Sequence, residues 1–368
     1  MGANFDLSNL ALQAVCPNNV LLYDDKGLPS VMVEVPQATY ADLGLGSSTD
    51  IFPAFKVNGT AVSKIYVSKY QNIVQNGRAY SLPGQDPGNN IYGKDALAAC
   101  TAKGAGWHLM TRLEWMAIAL WCKKNGTMPK GNNNYGKDNA DSIYQAIPSM
   151  ARDSSNRIQR VATGTGPLSW SHDGTPSGIW DLNGNVTEWV GGMRLVNGEL
   201  QVLVAANLTA LDNSGADLSN SQALDSALWK AIDGTDGSLI TPNGSGTTTN
   251  SLKLDWTGSI WKWITGSITD ANKGNHNCAF ESVDVESGLS AAAVLLLQTL
   301  GLYKYDTTAG AYLGDYLYAD NSQAERGFRC GGNWGTGAAA GVFCALGYNS
   351  FFSDRNDAIG FRSAFVEL

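Results

Sequence analysis

The side chains able to do chemistry in this chain are few and scattered. Six cysteines, Cys16, Cys100, Cys122, Cys278, Cys330 and Cys344, form no CxxC pair and have no close Cys/His spacing. They therefore carry no zinc pattern and read as reduced, structural thiols. His108, His172 and His276 lie far apart and belong to no local motif, although members of a triad can meet across a fold. There is no Gly-x-Ser-x-Gly elbow, no HExxH and no glycine-rich phosphate loop. With 33 Asp and Glu residues some carboxylate pairs arise by chance, so a pair alone would not identify a hydrolase. What is concentrated is binding chemistry. Tyr348, Phe351 and Phe352 sit in a turn-rich segment with Asn, Ser and Asp. That mixture resembles antibody paratopes, where rigid aromatics supply area and small polar groups supply adaptable hydrogen bonds.

Composition narrows the class. A net charge of -8 argues against a protein that tracks phosphates, which needs a basic face, so no nucleic-acid partner is expected. The apolar run from Leu289 to Leu300 is broken by Ser290 and Gln298 and is too short to span a bilayer, so no membrane insertion is expected. No stretch near the start combines a basic region with an apolar one in the manner of a secretion signal. With 43% hydrophobic residues, 16% charged, 42 Gly and 11 Trp, the chain reads as a loop-rich globule.

The elements that would position these residues read as follows. Val20 to Tyr23, Val31 to Val35 and the alternating Ser63 to Tyr70 are expected strands. A helix is expected from about Asp95 to Lys103. A second follows the capping box Thr111-Arg-Leu-Glu114, with Lys123 and Lys124 in its last turn and Gly126 beyond. Residues 127–177 should be long structured loops. Glu286 to Leu302 has helical periodicity, and Gly327 to Leu368 returns to strands and loops.

Three segments in order carry a resemblance: Trp107-His-Leu-Met-Thr-Arg-Leu-Glu-Trp115, Gly178-Ile-Trp-Asp-Leu-Asn-Gly-Asn-Val-Thr-Glu-Trp189, and Arg329-Cys-Gly-Gly-Asn-Trp334 with Ile359-Gly-Phe-Arg362. They resemble the formylglycine-generating-enzyme and sulfatase-modifying family. The resemblance implies an α+β, C-type lectin-like fold of that subtype, loop-rich, with two helices flanking antiparallel strands. Residues 1–60 would be an N-terminal strand and hairpin segment of the main domain. Residues 61–368 would be the lectin-like domain, with an insertion at about 197–326 and a variable region at about 332–365. Physically, Trp180, Trp189, Trp334 and Phe361 would anchor loops to a core, and Arg362 would meet a buried carboxylate or carbonyls.

In the family, the segment matching Asp181 to Glu188 can hold calcium. The carried-over ligands are Asp181, the Gly184 and Val186 carbonyls, and Glu188, a reasonable oxygen set for a hard cation. No other cofactor is required. The catalytic members bind copper through two cysteines after the matching tryptophan, but Thr336 and Gly341 stand at those positions here. The chain is accordingly read as no enzyme, with a formylglycine-generating-enzyme-like oxidase as the alternative.

The last 40 residues resemble the variable proteins of diversity-generating retroelements, major tropism determinant-like. In those proteins template adenines are randomised, and altered Asn codons never yield Lys, Glu, Gln, Trp or Met. None of these occurs from Gly335 to Ala358. The template pattern marks Gly335, Thr336, Ala339, Cys344, Gly347, Tyr348, Phe351, Phe352, Asp354 and Ala358 as diversified, ligand-binding positions. If Trp334, Val342, Phe343, Ile359 and Phe361 fill the interior, the residues between them should face outward. The resemblance implies a receptor-binding or tropism protein whose partner is a host-surface protein or glycan. It further implies a homotrimer and tail-fibre attachment on a phage virion. A bacterial surface adhesin with the same tail is the alternative.

Overall fold

Thr111 opens the structure's central helix as its sequence requires. Its hydroxyl accepts from the Glu114 amide at 3.2 Å, and Glu114 Oε2 accepts from the Thr111 amide at 2.9 Å. In this computed structural model, which describes residues 6–368, helix α3 (Arg112–Asn125) follows, and Gly126 ends it at φ 67°. Apolar residues all round that helix are buried, as expected for a helix inside the core rather than on its surface. Trp115 fixes it to the tail by donating from Nε1 to the Val342 carbonyl at 2.7 Å. Helix α2 (Gly93–Thr101) lies beside the Trp107–Leu109 strand.

Two sheets hold these helices. The smaller has the strand order Asn19–Tyr23, Pro29–Pro36, Lys64–Ser68, Ser363–Phe365, Trp107–Leu109. The last strand of the chain thus pairs with early ones and closes the structure. The larger sheet runs Asn275–Ala279, Tyr316–Asp320, Ala345–Asn349, Arg326–Cys330, Thr187–Val196, Glu199–Leu203, Lys253–Trp256, Trp261–Ile264. The chain is α+β; α3 stands where its capping box puts it, and α2 lies two residues earlier than the expected Asp95 to Lys103, with no side-chain cap.

Three differences from the sequence reading have physical reasons. Leu7–Val15 forms helix α1, capped by Asp6, whose side chain accepts from the Ser8 and Asn9 amides. Helix α4 covers only Ala291–Thr299, because Asp284–Val285 pairs with Lys262 and Trp263 as a strand and Ser290 then caps the helix. The large sheet is mixed rather than purely antiparallel: Leu317–Ala319 runs parallel to Ala345–Gly347, and Ile359–Phe361 runs parallel to Thr187–Trp189.

Candidate binding surface

The landmarks of the tail are locked from below. Ile359 and Phe361 are fully buried, and Trp334 donates its amide to the Asn185 carbonyl at 3.1 Å. Arg362 meets Glu188 through two contacts, Nε to Oε2 at 2.5 Å and Nη2 to Oε1 at 2.6 Å. It also donates to the Ser68 and Trp180 carbonyls at 3.0 Å each. This buried, two-point ion pair ties three distant parts of the chain together.

The oxygens suggested for calcium do converge, but on a side chain. Gln71 Nε2 stands 3.2 Å from the Asp181 carbonyl, 3.4 Å from that of Gly184, 2.8 Å from that of Val186 and 3.0 Å from Glu188 Oε1. Gln71 Oε1 accepts from Asn185 Nδ2 at 2.9 Å, which fixes the amide's orientation. A cation at the convergence point would overlap Gln71, and Glu188 is already matched by Arg362. Calcium does not fit this arrangement. Asp181 turns its carboxylate elsewhere, accepting from the Gly164 amide at 2.9 Å through Oδ2 while buried Oδ1 has no partner.

Burial pushes the Asp181 carboxyl up to about 6 from its ordinary value of 3.8. A carboxyl whose folded-state pKa is raised binds its proton more tightly when folded. Its stabilising effect is therefore complete below pH 3.8 and is lost as pH rises through 6. Across that window the loss is on the order of 2–3 kcal/mol. Asp181→Asn, at a residue with φ 62° that asparagine tolerates, should melt higher than the parent above pH 6. The gap should widen between pH 4 and 6 and then level off. Parallel melting curves across pH would reject this reading.

The tail strand Ala345–Asn349 has two distinct faces. Ala345 points inward with Leu317, Ala319, Phe328 and Cys330, all fully buried in the main core. Leu346 and Tyr348 lie on the other face, Leu346 buried there and Tyr348 half-buried. There Tyr348 packs against Tyr318 with ring centroids 4.2 Å apart, and the Arg329 guanidinium lies 4.8 Å from the Tyr348 ring and 5.3 Å from that of Trp189. Phe351 meets Trp189 edge-on at 5.5 Å and then Phe352 at 5.5 Å. Phe352, Phe351, Trp189, Arg329, Tyr348 and Tyr318 thus form one continuous row across four strands.

Three of the ten tail positions do not face outward. Cys344 is 0% exposed, near Asp315, Cys330 and Arg112. Gly347 lies on the inner face, where a β-carbon would come 2.8 Å from the Phe328 ring. Phe351 is 6% exposed, because Gly93 and Gly327 leave room for its ring against Trp189; a β-carbon on either glycine would strike it, at 2.2 and 2.8 Å. The expectation that residues between the landmarks turn outward fails at these positions. Gly335 is exposed, while Thr336, Ala339, Tyr348, Phe352, Asp354 and Ala358 are half-buried.

The exposed positions fall on two loops and one strand. Residues 335–339 lie against the 133–139 loop, with the Gly337 amide donating to the Asn133 carbonyl at 2.8 Å. Residues 350–358 cross over α2, where the Lys94 amide donates to the Phe351 carbonyl at 3.1 Å. Arg160 bridges the two loops, its guanidinium 5.8 Å from the Trp334 ring and its Nη1 donating to the Asp357 carbonyl at 3.1 Å. Sequence reasoning missed Tyr318 as part of this surface, and the buried Arg329 and Arg160 as its supports from beneath. The alternation Tyr316-Leu-Tyr-Ala-Asp320 was the available signal for the first.

All six cysteines are free and buried. Burial pushes the Cys330 thiol up to about 11, even with Arg112 Nη1 2.8 Å from its sulfur. A cavity of about 330 Å³ between the Pro29–Pro36 strand and α3 is walled by Trp121, His172 and Asp173. Its imidazole accepts from the Ile179 amide through Nδ1 at 2.8 Å, and burial pushes it down to about 4, so it is neutral at pH 7.

No family model and no curated protein matches the chain. Among solved structures, it is similar to PvdO from Pseudomonas aeruginosa (14% identity, 95% of this chain and 98% of that one, TM-score 0.31). It is also similar to Treponema denticola variable protein 1 (10% identity, 94% and 98%, TM-score 0.33). A third is the Major Tropism Determinant P3c variant (10% identity, 94% and 71%, TM-score 0.30).

Proposed function

We propose that the chain is a non-catalytic receptor-binding protein whose C-terminal surface is diversified to meet varied ligands on a host surface. One observation carries this reading: Trp334, Ile359, Phe361 and Arg362 are buried and tied to the core, while seven of the ten tail positions between them keep exposed surface. A frame held from below with adaptable residues on supported loops separates folding from recognition. The exposed set mixes aromatics with small polar residues, as binding surfaces built for variety do. A phage tail or tail fibre is the setting that suits such a protein, and display in several copies, as a trimer would provide, multiplies modest affinity per chain.

The flanking DNA tests the proposal directly. A near-copy of the codons for Gly332 to Phe365, beside a reverse-transcriptase gene and differing only at adenines, is the expected result. Intact flanking sequence with no such copy would overturn diversification.

A further inference from the structure

The exposed face beside the tail strand is not made by the tail alone. Strands Tyr316–Asp320 and Asn275–Ala279, both from the 197–326 segment, extend the sheet outward from Ala345–Asn349. Register places Asn277 opposite Tyr318 and Tyr318 opposite Leu346, so their side chains share one face with Tyr348. Tyr316, Asn275 and Asn277 are exposed there, and Tyr318 is half-buried against Tyr348. The opposite face of the same strands, with Cys278, Leu317 and Ala319, is buried in the core.

The geometry points to a binding site for a neutral oligosaccharide on this face. Its fixed half would be Tyr316, Tyr318, Asn275 and Asn277, and its variable half Tyr348. The inference rests on the tail surface being the binding surface, and it names the ligand class and the residues outside the tail that complete the site. Tyrosine rings offer flat apolar area for the C–H face of a sugar with a hydroxyl at the edge, and asparagine amides offer a donor and an acceptor for neighbouring sugar hydroxyls. The charges bordering the face are engaged: Asp320 accepts from Ser322 and from Arg326 at 3.2 Å, and Arg329 is held by Asn349 between two rings. A charged sugar would find no free counter-charge among them. Size agrees. Three strands spaced about 4.8 Å apart make a strip roughly 10 Å wide. Over five residues of about 3.3 Å each the strip covers on the order of 170 Å², far below the roughly 800 Å² per partner of a standard protein interface and suited to a short oligosaccharide.

The test is binding of the full chain to a printed array of neutral and acidic bacterial oligosaccharides. Neutral glycans should bind, and Tyr318→Ala and Asn277→Ala should each cut the signal at least about tenfold while the chain still melts cooperatively. Tyr318→Phe should retain much of the binding. If Tyr348→Ala abolishes binding but both Tyr318→Ala and Asn277→Ala leave it intact, the fixed half is refuted while the tail reading stands. Selective binding of acidic glycans overturns the ligand class, as does binding of host cells through a surface protein with no array signal. Array binding that survives Tyr348→Ala, Phe352→Ala, Tyr318→Ala and Asn277→Ala overturns both.

Discussion

Gln71→Glu should lower the melting temperature by roughly 5 °C in chelator, and millimolar calcium should recover much of that loss in the variant but leave the parent unchanged. In the parent, the Gln71 amide nitrogen has two hydrogens to share among four acceptors within reach, the Val186 carbonyl at 2.8 Å and Glu188 Oε1 at 3.0 Å lying nearest and the Asp181 and Gly184 carbonyls at 3.2 and 3.4 Å. A carboxylate in its place removes the donors, and each buried acceptor left unmatched costs about 1–3 kcal/mol. It also sets a second negative charge beside Glu188. Several kcal/mol in a chain of this size corresponds to the stated shift. With calcium, and with the new carboxylate drawn back from the convergence point to ligate it, the pocket becomes an all-oxygen set of the kind that ion takes. Gln71→Ala should destabilise without any calcium response. Should calcium raise the parent's melting temperature as much as the variant's, the view that Gln71 takes the cation's place is wrong.

The parts of this arrangement that were legible in the sequence are those fixed by near neighbours. Thr111 and Glu114 lie three residues apart, so their capping box and the helix behind it could be read directly. Lys64–Ser68 showed its strand by alternation. Arg362 could be expected to find a carboxylate, but nothing local says that the carboxylate is Glu188, 174 residues away. The Asp181 to Glu188 segment read as a set of oxygens for a cation, and the structure instead gathers the Asp181, Gly184 and Val186 carbonyls and Glu188 around the Gln71 amide. Gln71 is a single residue with no pattern around it, brought there only by the pairing of the small sheet.

Burial within the tail was the part least legible. Between landmarks, a glycine reads as a turn and an aromatic reads as either core or surface. Phe351 is core because Gly93 and Gly327, one of them 258 positions earlier, leave a slot for its ring. The fixed side of the exposed face was hidden for a different reason. Its strands belong to the 197–326 stretch, whose high turn content suggests an insertion set apart from the tail. Its strands instead continue the same sheet, because Tyr316–Asp320 runs parallel beside Ala345–Asn349.

These differences make adjacent tail positions behave in opposite ways. Gly347→Asn should be insoluble or lose roughly 3–5 kcal/mol, because its β-carbon would meet the Phe328 ring at 2.8 Å and a polar amide would enter an apolar interior. Tyr348→Asn, one residue on, removes only an outward ring. It should fold with a loss of about 1–2 kcal/mol from the Arg329 and Tyr318 contacts while changing what the surface binds. The same rule should appear in any naturally diversified set of these chains. Positions 348, 352 and 354 would vary freely, and soluble members would keep glycine at 347 and a small residue at 344. Template adenines at codon 347 would then mostly generate chains that fail to fold. Thermal melts of the two variants, with sequencing of soluble against total library members, decide the matter. Folded chains carrying Asn, Asp or Tyr at position 347 would show that the inner face of the tail strand is not the constraint described.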